Sequence, residues 1–139
     1  MHKAIKNITP ESFSKFGYVI SHDSDKEENF QIVLREEYSP GWRIAVNKVT
    51  NKIVSKFGRH PDSMESFEPY KGIALICLAA TETPEDYEVF LLDKPVCLFK
   101  NIWHGTLSLS EVSYLKITEN LDVSSESYLL AKEVAIEVN

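Results

Sequence analysis

Apolar positions along this chain fall into short runs, not long helical stripes. Past Phe30 they read Trp42-Arg43-Ile44-Ala45-Val46, Ile53-Val54-Ser55-Lys56-Phe57, Ile73–Ala80, Tyr87–Leu92, Val96–Phe99, Thr106–Leu109 and Val112–Ile117. Runs of this length bounded by turn residues are strand-sized. The boundaries are Ser39-Pro40-Gly41, Thr83-Pro84-Glu85-Asp86 and Asp93-Lys94-Pro95. Many short strands with a turn signal every ~8–12 residues predict an all-β sandwich or barrel. Near the end, Glu133–Val138 alternates and predicts a last strand, while Tyr128–Lys132 tolerates a helix.

The one clear helical signal is short. Thr9 can cap, Pro10 suits the first helical position and Gly17 suits the stop, which predicts a helix over Pro10–Phe16. Phe13 and Phe16 lie three apart and share a face that can pack on a core. Tyr18-Val19-Ile20 then begins a strand, and the charged stretch His22–Asn29 reads as a solvated loop.

Composition narrows the classes. The 139 residues predict one domain over 1–139. Fifteen basic against twenty-one acidic residues give a net charge of −6, which repels phosphate backbones and argues against a nucleic-acid partner. The longest apolar run, Ile73–Ala80, is far short of the ~20 residues of a membrane helix, so no membrane association is expected. The N-terminus lacks the apolar stretch of a signal peptide. Cys77 and Cys97 each sit among apolar neighbours, as buried thiols do in a reducing compartment. The expectation is a cytoplasmic protein.

Candidate chemistry gathers around two of the four histidines. His60 opens a skeleton of His, four residues, Glu65, six residues, Gly72. This spacing predicts a hairpin: His60 ends one strand, Pro61–Met64 turn the chain, and Glu65 opens the return strand, so that imidazole and carboxylate meet across the pair. Strict alternation puts Phe67 and Lys71 on the face of Glu65, and Gly72 permits a tight bend. His104 closes a second cluster, Leu98-Phe99-Lys100-Asn101-Ile102-Trp103-His104-Gly105. A closed barrel can bring it beside the first. Trp103 offers a pocket wall with one donor, and Lys71 is either a solvent-exposed strand end or the holder of an anion.

The two clusters resemble the leading and trailing motifs of cupin barrels. Arg59-His60-Pro61, Phe67, Pro69, Lys71-Gly72 and Asn101-Ile102-Trp103-His104, together with the opening Thr9–Gly17 segment, are similar to the ureidoglycolate lyase family. The chain departs from those patterns at Gly58, where a metal-binding cupin usually has histidine, and at Phe99, Gly105 and Thr106. The resemblance implies a cupin-like double-stranded β-helix (a jelly-roll barrel) with a short N-terminal helix, assembled as a homodimer. It implies an enzyme that eliminates urea from ureidoglycolate to leave glyoxylate, or a related small hydroxy-acid lyase. His60, Glu65 and His104 are then the catalytic candidates, with His60 or Glu65 as base and His104 as acid. Lys71, Asn101 and Trp103 are the substrate-binding candidates, facing a small carboxylate ligand. A divalent metal on His60, Glu65 and His104 is the alternative use of the same three side chains. The competing class is a non-catalytic module that binds a small carboxylate or sugar.

Overall fold

The computed structural model describes residues 3–136. Among them are β1 (Ile5–Lys6), helix α1 (Pro10–Phe13), β2 (Gly17–Val19), β3 (Trp42–Val49), β4 (Ile53–Arg59), β5 (Glu65–Lys71), β6 (Ala74–Ala79), β7 (Glu88–Leu92), β8 (Val96–Leu98), β9 (Trp103–Ser108), β10 (Ser113–Asn120) and β11 (Glu126–Ala135). They form two sheets, ordered β1-β7-β6-β9-β4-β11 and β2-β8-β5-β10-β3. Every pairing is antiparallel except the short parallel contact of β1 with β7. Successive strands often lie in different sheets, which is how a jelly roll winds. No helix among the described residues is long and apolar enough to cross a membrane.

Alternation divides the core in two. Between the sheets lie Phe13, Phe16, Phe67, Ile76, Leu78, Phe90, Leu98 and Leu115. On the other face of the six-stranded sheet lie Leu75, Cys77, Ala79, Trp103 and Leu107, with Val54, Phe57, Leu130 and Val134. β6 is therefore buried on both faces, which is why Ile73–Ala80 reads as one unbroken apolar run. Gly105 belongs to this second cluster. A β-carbon there would lie 2.8 Å from Val54 Cγ1 and 3.2 Å from the Phe57 ring, so the missing side chain lets β4 pack against β9. Both cysteines are free and buried, and loss of water pushes their thiols up to about 12 at Cys77 and about 11 at Cys97.

Three local expectations change. The helix is a single turn, Pro10–Phe13, closed by a capping box between Thr9 and Ser12. It ends early because Phe16 is recruited elsewhere: its carbonyl accepts from Phe99 N at 2.9 Å and its ring packs edge-on to Phe90. Gly17 is then a close-approach residue, since a β-carbon would lie 2.1 Å from the Cys97 carbonyl oxygen. β4 and β5 are not a hairpin. β4 belongs to one sheet and β5 to the other, and residues 60–64 arch between them. The arch is tied down at its far side, where Asn120 N donates to Ser63 Oγ at 3.0 Å and Asn120 Nδ2 to the Asp62 carbonyl at 2.9 Å. Finally, Tyr128–Lys132 is strand, because β11 continues alongside β4 through an irregularity between Leu129 and Val134. The expected strand over Glu133–Val138 therefore begins earlier, and its last two positions lie outside the described residues. Gly72 does sit at φ 80°, as a tight bend requires.

Candidate functional site

The fold brings His60, Glu65 and His104 together between the sheets. His60 follows β4, Glu65 opens β5, and His104 is the second residue of β9, opposite Gly58 of β4. The β8–β9 turn fixes this end of the site: Asn101, at φ 69°, donates its N–H to the His60 carbonyl at 3.0 Å. His60 Nε2 and His104 Nε2 lie 3.1 and 3.0 Å from the same oxygen, Glu65 Oε1. The imidazole centroids are 5.1 Å apart, and the Phe67 ring stands edge-on 5.7 Å from His104 as an apolar wall. The three side chains keep 16 %, 8 % and 13 % of their surface exposed, so the cluster is nearly dry yet reaches solvent.

Each imidazole is aimed by its other nitrogen. His104 Nδ1 is 3.1 Å from the Ile102 carbonyl, and His60 Nδ1 is 3.1 Å from both the Ser124 carbonyl and Ser125 Oγ. A carbonyl only accepts, so Nδ1 carries the proton in each ring. Asp62 holds the loop that does this for His60, accepting from Ser124 N at 3.2 Å and Ser124 Oγ at 3.1 Å. In the neutral rings, both Nε2 lone pairs then face a carboxylate oxygen. Such an arrangement needs positive charge, either on the rings or between the groups.

Both forms of positive charge have support. Burial would push the Glu65 carboxyl up, but the imidazoles, His104 first, hold it down to about 2. The Glu65 carboxylate in turn raises His60, against the pull of burial, with Ser124 and Glu119 adding to the rise. Yet buried Glu65 Oε1 has no aligned hydrogen bond. Its two short contacts are close without being directed along N–H. Ligand atoms about 2.1 Å from a shared ion and at right angles to one another lie about 3 Å apart, which matches the 3.0 and 3.1 Å separations. Two imidazoles locked as Nε2 donors and one ionised carboxylate fit a divalent cation, and ligand atoms of all three lie within 4.8 Å of one another.

The other sequence candidates go elsewhere. Lys71 ends β5, six residues from Glu65, or about 20 Å along a strand. It is exposed and lines a shallow cleft of about 410 Å³ with Tyr70, Ile73 and Asp93. It cannot stand at the mouth of this site. Trp103 precedes His104 on one strand and so faces the opposite way. Its indole donates to the Thr81 carbonyl at 2.9 Å, packs on Tyr128, and lies 4.4 Å beneath the Arg59 guanidinium. Asn101 acts through its backbone; its carbonyl accepts from Thr81 Oγ1 at 2.8 Å. Sequence reading missed Asp62, Ser124 and Ser125, and also Glu119, which stands opposite Glu65 across β5 and β10, with Arg43 opposite it on β3. Only Asp62 carried a local signal, as the acidic residue inside the arch.

No family model matches the sequence, and no curated protein matches it as a relative. Solved structures do resemble it. One is Bacillus subtilis oxalate decarboxylase, described with Mn(II) centres, at TM-score 0.50 and 13% identity over 65% of this chain and 24% of that one. The chain thus spans about a quarter of the decarboxylase it matches. A weaker likeness, at TM-score 0.46 and 9% identity, is to a dTDP sugar isomerase from Desulfovibrio desulfuricans, over 88% of this chain and 80% of that one. At these identities the likeness concerns fold alone, and the fold is a cupin-type double-stranded β-helix.

Proposed function

We propose that the chain is a metal-assisted cupin enzyme acting on a small hydroxy acid, with elimination of urea from ureidoglycolate as its reaction. One observation carries this reading: the Nδ1-anchored imidazoles of His60 and His104 converge on the ionised, unaligned oxygen of Glu65. His60, Glu65 and His104 would hold a divalent ion, which when bound polarises a substrate hydroxyl and makes its proton easier to remove.

The rest of the chemistry falls to the chain. In ureidoglycolate one carbon carries a hydroxyl, a carboxylate and a ureido nitrogen. Elimination breaks the carbon–nitrogen bond, turns the hydroxyl into the aldehyde of glyoxylate, and delivers a proton to the departing urea. Phe67 and the buried surroundings limit water around the reacting carbon. Glu65 is ionised at physiological pH, and its second oxygen would take the hydroxyl proton and hand the same proton to the departing urea nitrogen. The reading includes a homodimer, supported by β3, which among the described residues is a sheet edge and exposes Trp42, Ile44 and Val46. The test is release of glyoxylate from ureidoglycolate by the manganese-loaded protein, abolished in His60→Ala and His104→Ala. Saturable binding of the substrate without glyoxylate release would replace the lyase with a binding module.

A further inference from the structure

We infer that Arg43 receives the carboxylate of the ligand and that Glu119 is the positioning residue that aims it; this rests on the small hydroxy-acid reading of the site given above. In the five-stranded sheet, Glu65 on β5 stands opposite Glu119 on β10, and Glu119 stands opposite Arg43 on β3. Directly opposed residues share a face. Glu119 alternates with Leu115 and Ile117, both in the core between the sheets, so the whole row faces inward. Two strand spacings put the Arg43 backbone about 10 Å from that of Glu65, a gap that an arginine side chain and a two-carbon acid fill together.

The pairing leaves the guanidinium available. Nε and Nη2 of Arg43 both donate to one oxygen, Glu119 Oε2, at 3.0 and 2.7 Å. A guanidinium has five N–H groups, so three remain. The Glu119 side chain is 9 % exposed, whereas Arg43 is 49 % exposed and can meet an incoming ligand.

Arg59 and Lys100, which flank the two histidine segments, are engaged elsewhere. Arg59 lies over Trp103 on the opposite face and pairs with Glu126, and Lys100 pairs with Glu36 at 3.1 Å. Charge completes the case. With neutral imidazoles, Glu65, Glu119 and Arg43 sum to −1; a divalent ion makes the sum +1, which one monocarboxylate neutralises. A neutral ligand of the same shape leaves that one positive charge uncompensated.

The experiment is calorimetric titration of the manganese-loaded protein with glycolate and with its neutral analogue glycolamide. Wild-type protein should prefer glycolate by about ten- to a hundredfold, the range for hydrogen bonds to a charged group. Arg43→Gln should lose that preference and Arg43→Lys keep part of it, while both bind manganese within about twofold of wild type, which certifies the folded site. Undiminished preference in Arg43→Gln, with glycolate binding abolished in His104→Ala, would overturn the role of Arg43 and leave the site reading standing. Wild-type protein that binds neither compound would overturn both.

Discussion

Replacing Glu65 with glutamine should make the protein less sensitive to acid, even though it weakens the protein at neutral pH. The Glu65 carboxyl sits at about 2 instead of its ordinary 4.5. That difference corresponds to roughly 3 kcal/mol at 1.36 kcal/mol per pH unit. A folded-state value below the unfolded one gives stability that is present above 4.5 and lost as the pH falls toward 2. By pH 3 about 2 kcal/mol should be gone. Glutamine has nothing to titrate, so Glu65→Gln lacks this loss, and the comparison cancels the other twenty acidic side chains. Urea unfolding, followed by the fluorescence of Trp42 and Trp103 in the presence of a chelator, measures it. From pH 5.5 to 3 the gap between wild type and variant should close by about 2 kcal/mol, or about 1 M in urea midpoint. A constant gap across that range would mean that the imidazoles do not stabilise the carboxylate, and the electrostatic account of the site would fail.

Manganese at a hundredfold excess over its dissociation constant should stabilise the folded protein by about 2.7 kcal/mol, raising the thermal midpoint by roughly 6–10 °C, and His104→Ala should show no such rise. Asp62→Ala removes the anchor of the Ser124 loop and should lower manganese affinity by about tenfold or more, measured by titration, with the strand circular-dichroism signal unchanged. Gly105→Ala inserts a methyl group 2.8 Å from Val54 Cγ1 and should cost about 1–3 kcal/mol by chemical denaturation; no loss would mean that β4 moves freely over β9.

The fold was legible because strand length and turn chemistry are local. β6 to β8 and most of β10 coincide with apolar runs seen in the sequence to within a residue or two, and Gly72 marks a true positive-φ bend. The His60–Glu65 contact was also legible, but for the wrong reason. Four residues join them in a hairpin or in an arch equally well, and only the sheet assignment separates the two. Lys71 misled because alternation reports the face of a strand and not the distance along it. Trp103 is excluded from the site because β9 begins there and not at Thr106, and neighbours on a strand face opposite ways. Arg43 and Glu119 lie 76 positions apart and meet through the β3–β10 ladder; no local pattern marks them. The same holds for Ser124, whose contribution is a backbone carbonyl that any residue type supplies.

The arch at residues 60–64 has a mechanical consequence. It places His60 and His104 on one wall of the barrel and Glu65 on the other, so neither wall alone holds the three side chains. The cluster acts as a clasp. Whatever grips all three must also keep the walls from parting, and its binding free energy appears as resistance to that opening. Amide hydrogen exchange should therefore slow together in β5 and β9 when manganese is added, although these strands share no backbone hydrogen bond, while the single-turn helix α1 exchanges at its former rate.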